Sequence, residues 1–150
     1  MNDVPKPGSE GFTEEERAAI KERAKELKTA RRRGGGKEKA AADRQDVLNT
    51  IAGLPQPDRA LAERVHDIIT AEAPDLTPRL WYGMPAYARN GKVLCFFLSA
   101  HKDEARYSTL AFTGEANLDD GAMWPTTYAL TELTPSMEAA IRALVRRAVS

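Results

Sequence analysis

Four kinds of residue in this chain could carry chemistry. Glu63 and His66 spell Glu-x-x-His, a spacing that puts a carboxylate and an imidazole on one face of a helix, as in di-iron carboxylate bundles. Such a bundle needs the motif twice and two further glutamates. The second histidine, His101, sits in no such motif, so His66 is expected at the polar border of its helix. A looser cation site needs only oxygen ligands, and Glu115, Asp119 and Asp120 offer three within one loop. Tyr87, Tyr107 and His101 are the groups available as acid or base should the protein be an enzyme, provided the fold brings them together.

The remaining chemical signals are weaker. Cys95 is the single cysteine, so no intrachain disulfide can form, and its place among Leu94 and Phe96 predicts a buried, unreactive thiol. The chain has no Gly-x-Ser-x-Gly elbow, and "GGGK" at 34 to 37 follows no strand, which removes it as a phosphate loop. Nothing here specifies a catalytic residue.

Aromatic residues give a stronger pattern. Of ten, nine fall between positions 81 and 128, leaving Phe12 outside. Alternate strand residues face opposite ways, so in "VLCFFL" Val93, Cys95 and Phe97 share one face while Leu94, Phe96 and Leu98 share the other. If helices cover one face, the rings on the second must close over each other or line a groove. Trp81, Tyr82, Met84, Pro85, Tyr87, Tyr107, Trp124 and Tyr128 are the groove candidates. A small apolar ligand, a protein partner, or a second subunit docking through the sheet face would fill it. The proline of Met84-Pro85 cannot donate to a ladder, which predicts an edge, bulge or turn there.

The elements that must position these groups are legible in outline. Residues 1 to 11, rich in Pro, Gly and charge, read as a disordered tail. Thr13 with Glu16 forms a capping box, acidic residues follow, and Lys28 and Arg31 to Arg33 gather at the far end, as the helix dipole prefers. That charged helix has a thin apolar stripe of Ile20, Ala24 and Leu27, and Gly34 to Gly36 end it as a hinge. Residues 1 to 42 thus form an extension, and 43 to 150 the main domain. Within the latter, a helix from Asp43 carries Val47, Leu48 and Ile51 and stops at Gly53, in a left-handed C-terminal position, with Pro55 beyond. A second from about Asp58 carries Leu61, Val65, Ile68 and Ile69.

Beyond Pro78 the period becomes extended. Asn90-Gly91 marks a tight hairpin, Val93 to Leu98 a central strand, "ARYSTLAF" and "TTYALTEL" two more. Thr134 caps and Pro135 opens a closing helix with Met137, Ile141, Leu144, Val145 and Ala148 on one face. The order predicts an α+β fold: a mostly antiparallel, curved sheet of four to five strands packed against helices.

Bulk charge excludes some classes. The chain has 22 basic and 22 acidic side chains, so no global field draws it to nucleic acid or an anionic membrane. Residues 1 to 42 carry 11 Lys/Arg against 8 Asp/Glu, and 43 to 150 carry 11 against 14; any basic partner surface is N-terminal. With no signal-like leader and no run of roughly 20 apolar residues, the expectation is a cytoplasmic protein without a membrane partner.

At Tyr82-Gly83-Met84-Pro85-Ala86-Tyr87, followed by Gly91-Lys92-Val93, the sequence resembles the YdhG-like domain family of unknown function. The likeness extends over about 44 to 150, including the "IAGLP" break, "STLAF" and the closing amphipathic helix. It implies a small α+β domain with helices against a curved antiparallel sheet. Some relatives are described as frataxin-like iron chaperones that bind iron through surface carboxylates, which implies iron as an alternative ligand. The residues themselves call for no cofactor. The reading is therefore a cytoplasmic binding module, non-enzymatic, with an iron carrier or an enzyme of unknown reaction as alternatives.

Overall fold

The computed structural model describes residues 13–150; the tail assigned to residues 1 to 11, and Phe12, lie outside them. The described chain runs α1 (Glu14–Arg33), α2 (Lys37–Ala52), α3 (Asp58–Glu72), β1 (Thr77–Trp81), β2 (Met84–Arg89), β3 (Lys92–Leu98), β4 (Ser108–Phe112), β5 (Thr127–Leu130) and α4 (Pro135–Val149). The five strands form one open antiparallel sheet in sequence order, with β3 at its centre. The α+β architecture expected from the periodicities is the one present.

Local signals account for most boundaries. Thr13 Oγ1 accepts the Glu16 amide at 3.1 Å and Thr134 Oγ1 accepts that of Met137 at 3.2 Å, each satisfying one of the amide donors a helix start leaves free. Asn90 and Gly91 have φ of 53° and 79°, the paired positive values a two-residue hairpin requires. One boundary moves. The second helix starts at Lys37 rather than Asp43, because "KEKAAA" has high helix propensity and nothing in it breaks the turn. The division at 42/43 therefore falls inside α2, and the break between the charged helix and the rest is Gly34 to Gly36 alone. Gly53 also ends α2 in a right-handed conformation, φ −85°, and not in the left-handed one expected.

A further hairpin was not legible. β1 and β2 are joined by Tyr82 and Gly83, whose φ values of 53° and 75° form a second two-residue turn closed by the Trp81–Met84 pair. Pro85 fits inside this hairpin for a stereochemical reason. The pair closing a two-residue loop is hydrogen-bonded, so the next pair, Leu80–Pro85, is not. The missing N–H of Pro85 therefore costs no bond to β1, and pairing with β3 begins at Ala86. At Tyr87/Ala88 the β2–β3 register shifts by one, with Leu94 as the extra residue.

The core lies on one side of the sheet. Val47 and Ile51 of α2, Leu61, Val65, Ile68 and Ile69 of α3, and Ile141, Val145 and Ala148 of α4 are buried together with Tyr87, Cys95, Phe97, Leu110 and Phe112. Cross-strand pairing places Pro78, Tyr87, Cys95 and Phe112 in one row, and Phe97 with Leu110 and Tyr128 in another on the same face. Every carbon buried there contributes to a hydrophobic stabilisation of about 25 cal/mol per Å². Ion pairs bridge α3 and α4 at the surface: Arg64 meets Glu138, and Arg146 meets Glu72 at 2.6 Å. These arginines hold both carboxyls below the usual glutamate range.

α1 docks differently from the rest. None of its residues is buried, and the side it turns inward is polar: Glu22, Arg23, Glu26, Thr29 and Arg33 are the half-buried positions along with Ala19 and Ala30. Arg33 bonds Asp43 at 2.7 Å and Asp46 at 2.8 Å, tying its last turn to α2. Ile20 and Leu27 are 47% and 41% exposed. The apolar stripe read in the sequence thus faces away from the domain.

Candidate binding face

The sheet side opposite the three core helices begins with the row Arg79, Ala86, Phe96, Ala111 and Thr127. Trp81, two residues along β1 from Arg79, shares that face. Its ring meets Phe96 edge-on at 5.3 Å and Tyr82 at 5.0 Å. Edge-to-face pairs of this kind stabilise by about 0.5–1.5 kcal/mol beyond the area they bury. Trp81, Tyr82, Met84 and Phe96 are each half-buried, so the rings are neither sealed nor free.

Cations border these rings. The Arg23 guanidinium lies 5.8 Å from the Tyr82 ring centre, within cation–π range. A shallow groove of about 330 Å³ runs beside Trp81, between Arg23, Arg79 and Lys92 on one hand and Thr113, Gly114 and Glu115 on the other. It combines one large aromatic surface with three basic side chains and one acid. Such a lining suits a flat apolar body that ends in an anion.

Not all expected groove residues gather here. Trp81, Tyr82 and Met84 lie at this end of the sheet, whereas Pro85 is buried and Tyr87 points the other way, 1% exposed, into the helices. Tyr128 packs on Phe112 at 6.2 Å on the core side, and Trp124 also packs against the core. Tyr107 is 37% exposed before β4, under the Arg106 guanidinium. The aromatic concentration in the sequence is therefore divided between two faces, with most of the rings in the core. Phe96 and Arg79 are the binding-face residues that sequence reading missed. The alternation in "VLCFFL" already separated Phe96 from Phe97, but nothing local says which face the helices take.

His66 is a second departure. It is 8% exposed, not at a polar border, and its Nδ1 lies 2.9 Å from the Tyr87 hydroxyl. Burial holds the imidazole below its ordinary value and pushes the Tyr87 phenol up. The pair thus stays neutral and satisfied near neutral pH. The same helix face opens on a cleft of about 310 Å³ lined by Leu48, Ile51, Arg59, Glu63, His66 and Asp67. Burial also pushes the Cys95 thiol up to about 12, which leaves it without thiolate character.

The remaining chemical candidates are separated in space. Glu115 is exposed and lies 4.0 Å from Lys92, and Asp119 and Asp120 are exposed in the following loop. Among the described residues, no three His, Cys, Asp or Glu side chains form a set that could hold a metal. His101 is exposed in a turn, its amide bonded to Asp58 at 2.8 Å, six residues before the exposed Tyr107 in the same β3–β4 connection, whereas Tyr87 is buried in the core. No helix among the described residues is long and apolar enough to cross a membrane. No protein-family model, curated protein or solved structure matches the chain, and the YdhG-like resemblance rests on its quoted motif.

Proposed function

We propose that this protein is a non-enzymatic binding module that holds a small, flat, apolar molecule bearing an acidic group on the sheet face opposite its three core helices, where α1 contributes Arg23. The observation that carries this reading is the half-buried Trp81–Phe96 pair beside Arg79, Arg23 and Lys92. The rings supply stacking area at low entropic cost, and the cations supply orientation through charge-assisted bonds. A binding role also accords with Tyr87 being buried in the core while His101 and Tyr107 are exposed in the β3–β4 connection.

The test uses Trp81 emission in a Trp124→Phe background, with 2-naphthoate as probe. Saturable quenching is expected, weakened at least tenfold by Arg79→Ala. An unresponsive Trp81, or equal quenching in the Arg79→Ala protein, sinks the proposal.

A further inference from the structure

The turn between β1 and β2 is engaged in an unusual way for an exposed hairpin. A two-residue turn with positive φ at both positions directs the amides of those residues outward, where water ordinarily meets them. Here both go to one carboxylate. Tyr82 N donates to Glu26 Oε1 at 2.9 Å and Gly83 N donates to Glu26 Oε2 at 2.7 Å. The Glu26 side chain is only 10% exposed, though it comes from a helix with no buried residue.

The surroundings are built for an anion. Lys102 Nζ donates to the Tyr82 carbonyl at 2.7 Å, placing a half-buried ammonium against the same turn. Its pKa is lowered by desolvation and supported in the other direction by Glu22 and Glu26. Arg23 Nη1 lies 3.4 Å from Glu26 Oε1. Gly83 suits the turn through its φ of 75°, which favours glycine, and a Cβ there would displace the Lys102 ammonium from its present place. The turn, its two amides and the lysine belong to the sheet and the loop after it. The carboxylate, with Arg23 beside it, is brought by α1, across Gly34 to Gly36, and Gly34 and Gly36 have positive φ of 69° and 90°.

We propose that the Tyr82–Gly83 turn with Lys102 is an oxyanion-binding site, for a carboxylate or phosphate, and that α1 is a tethered occupant holding it closed through Glu26. The hydrogen bonds that tie α1 to the sheet and to α2 include Glu26 on the turn and Arg33 on Asp43 and Asp46. A competing anion therefore exchanges like for like, without exposing a core. A tethered group acts at an effective concentration in the millimolar range, so free anion competes only when it is abundant or carried on a second binding element. This site adjoins the Trp81–Arg79 groove and shares Arg23 with it, but its readout is the two turn amides rather than indole emission.

The experiment follows the Tyr82 and Gly83 amide signals of the full chain by NMR, as wild type and as Glu26→Ala, during titration with sodium acetate and, separately, inorganic phosphate at constant ionic strength. In Glu26→Ala the two amides are expected to shift saturably at an anion concentration at least about tenfold below any response of the wild type, consistent with removal of a tethered competitor. The stronger of the two anions identifies the source as a carboxylate or a phosphoryl group. Equal responses in both proteins, or none in Glu26→Ala, overturn the proposal. Should Glu26→Ala fail to fold, Glu26→Gln is read in the same way. If neither folds, the contact is structural and the proposal is likewise overturned.

Discussion

α4 and α1 are both capped by a threonine, acidic in the first turn and basic in the last, yet they attach to the molecule by opposite means. α4 buries Ile141, Val145 and Ala148 against the sheet, and the carbonyl end of the helix is received by Arg89, which bonds the Val149 carbonyl at 2.8 Å. α1 turns Ile20 and Leu27 outward and holds on through Glu26 and Arg33. Opening an apolar interface is costly, because separating the surfaces returns all of their area to water. Polar contacts lose far less, since water or another ion replaces each partner. One helix is therefore part of the core, and the other is an exchangeable cover.

The largest effect expected from that contrast is in α4. Ile141→Ala leaves a cavity in a fully packed site and should lower stability by about 2–5 kcal/mol, read as a shift of the urea midpoint at unchanged slope. A loss comparable to that of a surface substitution would erase the distinction between the helices.

Tyr87→Phe probes the same face more finely. It removes the hydroxyl bonded to His66 Nδ1 and leaves a buried ring nitrogen without its partner, which should cost about 1–3 kcal/mol. An unchanged midpoint would mean that the pair contributes nothing to the core.

The pH dependence sharpens the point. His66 is held below its ordinary value of 6.5 by burial, so the unfolded chain takes up the proton first as pH falls. Stability attributable to this neutral histidine is thus complete above about 6.5 and is lost on acidification toward the lower folded value, below which the loss levels off. Wild type compared with His66→Asn from pH 7.5 to 5 should show the extra acid sensitivity in the wild type only. Parallel curves would contradict a buried neutral imidazole.

The smallest effect belongs to α1. Leu27→Ser changes a side chain that faces solvent, and global stability should stay within about 0.5 kcal/mol. A shift beyond 1 kcal/mol would show that the stripe packs on something within the molecule.

Much of this was readable before the fold was known. The capping box at Thr13, the Thr134-Pro135 start and the Asn90-Gly91 turn are short-range chemistry, settled within a few residues, and the sequence shows them plainly. The Tyr82-Gly83 hairpin was hidden because Tyr-Gly is a less distinctive turn pair than Asn-Gly, and because the proline at 85 suggested a break two residues too late. His66 was misplaced for another reason. Helical periodicity puts it beside Val65 and Ile69, but only β2, 21 residues on, supplies the Tyr87 hydroxyl that makes its burial tolerable.

The amino-acid order by itself settled most of the elements, their succession and the antiparallel α+β class, since periodicity, caps and turn residues act through neighbours a few positions apart. The tertiary structure alone decided which sheet face the helices cover, hence that Tyr87 and Phe97 are core while Trp81 and Phe96 stay half-exposed. It also decided that α1 presents Glu26 inward and Leu27 outward. Two faces of a strand differ by nothing local, and a thin apolar stripe gives a helix little area to bury, so its polar contacts can decide which side turns inward. The choice rests with partners dozens of residues away.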